Sequence, residues 1–523
     1  MCLQVNALQP FAPSLRFVIT SGDPDSACHD MRPDIAAYRT VCLPNCTTDF
    51  GMMDMWIEVK PKNSDPFRDP APGGPSMAPA DGVRPPFHRS SMKARDTQGQ
   101  LVAYANAVFC RQFRTRLFSV LICGRHARII LWDKSCAIVT EKFDIISQPG
   151  HLAQFFWRYN LLPLNTRGYD PSVTTPDAHE QVLAKRALRI TAANATLVKL
   201  CVPNDTGVVG DKFYVAETPR FIPRSSIGRS TRGFVAYDLA KRRIVWIKDY
   251  WRVIGPGMEK EGDIYMELHR HRVPHIPRFD RAGDIKSSPL CTTSNNRWIH
   301  ENWACRTKEL RTYSLYRVVL DEVGRDLTSF ESSWEYTNAI TDALEGIEPF
   351  SYHSAIADRS AAHSVAYQKA NILHRDISVG NVLITHDGNH GLLIDWELSK
   401  RVPSSTPLAP DQNMNASAPS TSNLDLTQRP PHEKQRAIRQ PDRTASPYPF
   451  FQVSSLTYCA GHMAVYLCTL AYAPRSRAPP AGRSGVVLLG AAMGLLKIYH
   501  SQSNTRETWR PPLRFRPSIS GVQ

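Results

Sequence analysis

Apolar and polar positions fall into two blocks of different rhythm. In the first, Met55–Val59 is a short apolar run that stops at a charged turn, as a buried strand does. Leu101, Tyr104, Ala105, Val108 and Phe109 recur at helical spacing and predict a helix over Gln100–Phe113. Leu117–Cys123 and Ala127–Trp132 are strand-like runs split by Gly124-Arg125-His126, a hairpin signal. This block reads as an α/β domain over residues 30–175, with a Pro-rich loop at 61–91 and a segment, 1–29, ahead of it. In the second block, Ser226–Tyr237 and Arg243–Lys248 predict two antiparallel strands around a polar turn. A helix over Glu259–Arg272 and a strand over Tyr316–Glu322 follow. Helices over Trp334–Ile347 and Ser354–Ala370 come next, then short strands at Ile372–Leu373, Val382–Thr385 and Gly391–Ile394. A strand-rich front and a helical rear predict a two-lobed α+β unit over 215–400, its small lobe spanning 215–322. Residues 176–214 read as a linker, 401–449 as low-complexity chain and 450–523 as a weakly ordered tail.

Composition refines this picture. A chain of 523 residues has room for two or three domains, and 42% hydrophobic residues supply a core. The net charge is +15, and from Arg401 onward there are 14 basic against 5 acidic side chains. Such a tail is ordinarily a solvated segment; attraction to nucleic acid or acidic partners is the second reading. The twelve cysteines lack zinc spacing, because Cys42 and Cys46 have no second pair. The start, Met1-Cys2-Leu3-Gln4, shows no secretory pattern, so the cysteines read as reduced thiols. The apolar stretches Tyr458–Ala473 and Val486–Leu496 fall short of the ~20 residues that span a bilayer. The expectation is an intracellular chain, cytoplasmic or nuclear, with no membrane partner.

The strongest chemical signal is His374-Arg375-Asp376-Ile377-Ser378-Val379-Gly380-Asn381, followed by Leu393-Ile394-Asp395-Trp396-Glu397. Phosphoryl transfer needs a carboxylate near the attacking hydroxyl and oxygen ligands for Mg²⁺. Asp376 and Asn381 on one loop supply a base and a metal ligand, and Asp395 after a buried strand supplies a second ligand. The kinase order H-R-D-x-x-x-x-N, then an acidic residue about twenty positions on, is met. Upstream, Gly228-Arg229-Ser230-Thr231-Arg232-Gly233-Phe234-Val235 fits a glycine-rich phosphate turn with Ser230 in place of the middle glycine. Val245-Trp246-Ile247-Lys248 follows, its lysine placed to hold the α- and β-phosphates. Glu261, on a helical face with Ile264, Tyr265 and Leu268, is the candidate partner of Lys248; Glu259 and Glu267 are its rivals. Each upstream residue alone is as common on solvated strands and helices; their joint order carries the assignment.

These segments resemble the fungal-type protein kinase (FunK) family, a divergent branch of the protein-kinase-like fold. The resemblance rests on Gly228–Arg232, Ile247-Lys248-Asp249-Tyr250-Trp251, Tyr316–Arg325 and His374–Ser378. It reaches the front block through Arg32-Pro33-Asp34-Ile35, Glu58-Val59-Lys60 and Gly168-Tyr169-Asp170-Pro171, covering roughly residues 30–400. It implies ATP and Mg²⁺ as cofactors and transfer of the γ-phosphate to Ser/Thr-type hydroxyls of a protein substrate. It also implies Val319–Val323 as the hinge that meets adenine, with Leu320 and Glu322 beside the nucleotide and Gly228, Gly233, Val235 and Lys248 around it.

Several positions depart from the pattern. Ser378 stands where many kinases carry a lysine, and Trp396-Glu397 replaces Phe-Gly. Arg443-Thr444-Ala445-Ser446 is a poor echo of the substrate-positioning segment, and no acidic helix follows to anchor the catalytic loop. The large lobe is therefore expected to be incomplete. Two classes stand side by side: an ATP-dependent protein kinase, and a catalytically weak or inactive kinase-fold protein that binds nucleotide or partners. A separate pattern lies in front. Asp34 with Glu58-Val59-Lys60 has the form P-D…E-x-K used by metal-dependent nucleases of the restriction-endonuclease type. Glu58 and Lys60 share one strand face, as that chemistry requires. The commoner reading of such a trio is a strand that ends in charged surface residues.

Overall fold

The computed structural model describes residues 7–44, 48–69, 87–192, 195–205, 210–217, 227–298, 310–344 and 361–402, and the backbone of 465–468. The front sheet contains β1 (Leu15–Ile19), β2 (Ile35–Arg39), β3 (Met53–Lys60), β4 (Arg116–Cys123), β5 (His126–Asp133) and β6 (Ala137–Thr140), in that spatial order. A short β7 (Phe143–Asp144) pairs with β5. Within this sheet β3 and β4 are the parallel neighbours. Parallel strands need a crossover, and helix α1 (Met92–Arg111) makes it. The helix buries Leu101, Tyr104, Ala105, Val108 and Phe109, the positions whose spacing announced it. It starts at Met92 rather than Gln100 because Ser91 caps it, its hydroxyl accepting from the Ala94 amide at 3.4 Å. Helix α2 (Pro149–Leu161) packs on the sheet through Phe156 against Phe17 and Phe155 against Phe118, with ring centroids 5.2 and 5.9 Å apart. A single turn, α3 (Leu164–Arg167), follows.

The second sheet holds β8 (Val173–Thr174), β9 (Val198–Val202), β10 (Lys212–Ala216), β11 (Arg232–Asp238), β12 (Arg243–Ile254), β13 (Phe279–Asp284) and β14 (Thr312–Leu320). Its spatial order is β13-β14-β12-β11-β10-β9-β8. Helix α4 (Ala178–Ala187), opened by a capping box between Asp177 and Glu180, lies between β8 and β9 in the chain. The stretch 176–214, expected to be a linker, thus carries α4, β9 and the start of β10, and β1 lies within the segment 1–29. Helix α5 (Glu261–Arg270) lays Ile264, Tyr265 and Leu268 into the core beside β14, each worth about 1.5–3 kcal/mol of burial.

The helical side of the described chain holds α6 (Ser333–Leu344) and α7 (Ala362–Ala370), preceded by β15 (Arg325–Asp326). After α7 come β16 (Ile372–Leu373), β17 (Val382–Ile384), β18 (Gly391–Leu393) and β19 (Lys400–Arg401). Strands β15, β17 and β18 form one small sheet, and β16 pairs with β19. A last strand, β20 (Val465–Cys468), pairs antiparallel with the edge strand β6. The helix extensions expected over 345–347 and 354–360, residue 226, most of the Pro-rich loop (70–86) and all expectations from 403 onward apart from β20 lie outside the described residues. No helix of the described residues is long and apolar enough to cross a membrane.

Buried charge joins the two sheets. Arg317 on β14 is fully buried and donates to Asp249 Oδ1 (2.8 Å), Asp170 Oδ2 (2.8 Å), Ser172 Oγ (2.8 Å) and the Cys201 carbonyl (2.7 Å). Arg232 on β11 donates to the other oxygen of Asp249 (3.0 Å) and to the Gln112 carbonyl at the end of α1 (3.1 Å). Every guanidinium here has a carboxylate, so the charges survive burial.

Candidate active site

Strand β12 places Lys248 opposite Gly233 on β11 and Val318 on β14, in the middle of the second sheet. Helix α5 begins at Glu261, so its first side chain reaches back to the strand. Lys248 Nζ donates to Glu261 Oε2 at 2.7 Å and to Asp395 Oδ1 at 2.8 Å. A third carboxylate, Glu397, accepts from the same amine at 3.3 Å and from Arg229 at 3.1 Å. The rival glutamates are engaged elsewhere: Glu259 with Arg401 at 2.8 Å, and Glu267 with Arg270 and His271.

The electrostatics follow from this crowding. Burial alone would lower the Lys248 pKa, but the charges of Asp395, Glu261 and Glu397 outweigh it and raise it. Burial pushes the Glu261 carboxyl up to about 7, against the pull of Lys248. Asp395 is held below the usual carboxylate range because Lys248, with Arg229 behind it, overcomes the burial that would raise it. The lysine is therefore a cation and Asp395 an anion. Glu261, Asp395 and Glu397 offer ligand atoms within 4.8 Å of one another.

The loop before β17 is ordered by its own polar groups. His374 is fully buried; its Nε2–H donates to the Ile394 carbonyl (2.8 Å) and its Nδ1 accepts from the Asp376 amide (3.3 Å). Burial lowers its pKa, so the ring is neutral and positions the loop. Asn381 Nδ2 donates to the Asp376 carbonyl at 2.8 Å, and the Ile394 amide to the Asn381 carbonyl at 2.9 Å. These bonds hold the Asp376–Asn381 loop against Ile394, the residue before Asp395. Arg375 and Asp395 both adopt left-handed backbone (φ 69° and 64°), a strain that side-chain residues keep where the surroundings enforce it. Trp396 takes the place of Phe in the metal motif: its ring is buried edge-on to His374, 4.6 Å between centroids, and its Nε1–H donates to the Leu393 carbonyl.

The glycine-rich turn is tied to the same cluster by Arg229, which pairs with Glu397. Gly228 has φ 89°, and Ser230 holds φ 45° where the usual pattern has glycine. Gly233 has no room for a side chain because a Cβ would strike the Trp246 ring. Val235 pairs with Trp246 across the strands, and Trp246 with Leu320 on the other side. Leu320 is buried, and Glu322 accepts from the Arg278 amide and side chain (2.6 and 2.5 Å). Lys134 of the front sheet reaches the turn: its carbonyl accepts from the Gly228 amide (2.8 Å) and its amine donates to Ser230 Oγ (3.3 Å). Sequence reading gave no role to Lys134, Arg229, Glu397 or the Asp249–Arg317 pair.

The front trio also comes together. Asp34 Oδ2 accepts from the Val59 amide (2.8 Å), Glu58 Oε2 accepts from the Asp34 amide (3.3 Å), and Lys60 Nζ lies 2.6 Å from Glu58 Oε1. Glu58 is buried, and burial together with the Asp34 charge pushes its carboxyl up to about 7.

A sheet lysine tied to a helix glutamate and to Asp395, the residue after Ile394 to which the His-Arg-Asp loop bonds, is the arrangement of the protein-kinase class. The family model described as fungal protein kinase matches residues 86–418, well over half of the chain. The chain belongs to the fungal protein kinase family. The match takes in α1 and the rear of the front sheet, and leaves β1 to β3 ahead of it. No curated protein matches the chain. Among solved structures, the ROP18 kinase domain in complex with AMP-PNP and sucrose is similar at 13% identity. That similarity covers 43% of this chain and 62% of that one, with a TM-score of 0.23.

Proposed function

We propose that the cleft binds ATP with Mg²⁺ and transfers the γ-phosphate to Ser/Thr-type hydroxyls of a protein substrate. The observation that carries this is Lys248 bridging Glu261 and Asp395 at 2.7 and 2.8 Å. Glu261 fixes the amine, which then meets the α- and β-phosphates. Asp395 and Asn381 take the metal. Gly228 and Gly233 let the turn approach the phosphates, with Val235 and the strand end at Leu320 and Glu322 flanking the base. Asp376 accepts the proton of the attacking hydroxyl. As the hydroxyl oxygen bonds to the γ-phosphorus, the bond to the bridging oxygen breaks and ADP leaves. The test is transfer of labelled phosphate from ATP to a generic protein acceptor and to the chain itself. Asp376→Ala should lower the rate by about 10²–10⁴-fold. Equal labelling by wild type and variant would reject the role of Asp376; no labelling with intact ATP binding would favour a binding module.

A second reading belongs to the front sheet. Asp34 and Glu58, with Lys60 beside them, form a setting for a divalent cation and a phosphodiester. The contact between the two acid residues supports it. A nuclease assay with Mg²⁺ tests it: cutting lost in both Glu58→Ala and Lys60→Ala supports the reading, and metal-independent or absent cutting removes it.

A further inference from the structure

Behind the cleft, three side chains from three separate segments converge. His275 lies in the loop between α5 and β13, Asp342 in the last turn of α6, and His390 in the turn before β18. Asp342 Oδ2 is 3.4 Å from His275 Nδ1 and 3.3 Å from His390 Nδ1, and ligand atoms of all three lie within 4.8 Å of one another. An N–H···O bond runs at about 2.7–3.2 Å, so both contacts are long for hydrogen bonds. Two ligands bound tetrahedrally at about 2.0–2.1 Å sit roughly 3.3–3.4 Å apart, which is the spacing of both His–Asp contacts.

The setting favours a metal further. The Asp342 side chain is 2% exposed, and its Oδ2 also accepts from the Gly391 amide at 2.9 Å, a bond that aims the carboxylate. His275 holds left-handed backbone at φ 53°, a cost kept where surroundings demand it. Its carbonyl accepts from the Leu393 amide at 2.9 Å, so the loop is already pinned to β18. The His390 side chain is 59% exposed, leaving room for water as a fourth ligand. Two imidazoles and one carboxylate suit zinc-class ions rather than Mg²⁺.

We propose that His275, Asp342 and His390 bind one zinc-class ion that staples the loop after α5 to the segments around β18. That loop follows the helix that begins at Glu261, and β18 leads into Asp395. The ion therefore ties the two sides of the cleft from behind. The proposal stands on these residues and does not depend on the phosphotransfer reading.

The experiment uses the full chain, stripped with chelator and dialysed, then given Zn²⁺ or Mg²⁺. Bound metal is counted by elemental analysis, and melting is followed by circular dichroism. Wild type should retain about one zinc that His390→Ala lacks, and Zn²⁺ but not Mg²⁺ should raise its melting temperature by several degrees. His390→Ala changes an exposed side chain, and its unliganded melting should match that of the stripped wild type. His275→Ala should lose the same ion; should it fail to fold, His390→Ala decides alone. Equal zinc on wild type and His390→Ala would place the ion elsewhere, on the cysteines for instance, and overturn the proposal. So would a wild type that keeps no zinc.

Discussion

Two parts of the molecule place one lysine beside buried acids, and they differ in where the lysine sits. In the cleft, Lys248 lies between Glu261 and Asp395 and touches both. In the front sheet, Lys60 touches Glu58 from the side, while Asp34 meets Glu58 through its own amide. The Lys248 side chain is 10% exposed, and the Lys60 side chain 22%. Lys248 holds Asp395 below the usual carboxylate range, whereas burial pushes both Glu261, which touches the same lysine, and Glu58, which faces Asp34, up to about 7. A lysine at contact distance thus outweighs burial at the partly exposed Asp395 but not at the fully buried Glu261 and Glu58.

The contrast can be broken most sharply at Arg317 and Lys248. Arg317→Met leaves Asp249 and Asp170 buried with fewer partners and should cost about 3–5 kcal/mol in urea unfolding. Lys248→Met removes the cation shared by three carboxylates and should cost about 2–4 kcal/mol, with loss of labelled-phosphate transfer. A smaller loss at Lys248 than at Lys60→Met would reverse the comparison.

Glu58 sharpens it through pH. Its folded pKa of about 7 lies above the ordinary value of 4.5, so the folded state keeps a proton that the unfolded chain releases. Stability from this group is present below pH 4.5 and is lost as pH rises to 7. Glu58→Gln stays neutral, so it should equal wild type near pH 4 and exceed it by about 1–3 kcal/mol at pH 8, read from urea midpoints. At the small end, Glu259→Ala removes an exposed pair with Arg401 and should change stability by less than about 0.5 kcal/mol. It should leave phosphate transfer unchanged, whereas Glu261→Ala should not.

Some of this was legible in the chain. The strand at Arg243–Lys248, the helix over Glu261 and the short strands flanking Asp376 and Asp395 follow from apolar spacing, because one face of each enters a hydrophobic core. Strand β13 escaped: Phe279-Asp280-Arg281-Ala282-Gly283-Asp284 alternates no apolar face, and Arg281 and Asp284 are buried by tertiary partners instead. Strands β9 and β10 escaped because each is five residues long and finds its partner across a loop. Asp249 and Arg317 stand in segments that carry the family resemblance, yet their structural role follows only from their pairing across β12 and β14. Glu397 stood out as a replacement for glycine, but its contact with Lys248 depends on how the chain turns after Asp395.

The central claim is that the Lys248–Asp395 cleft holds a magnesium–nucleotide complex. The most direct measurement is the thermal shift of the full chain on titration with ATP, with and without Mg²⁺, in wild type and Asp395→Ala. The account predicts Mg²⁺-dependent stabilisation of wild type that Asp395→Ala loses. Stabilisation of equal size in both proteins, or none in wild type at millimolar ATP and Mg²⁺, would contradict it.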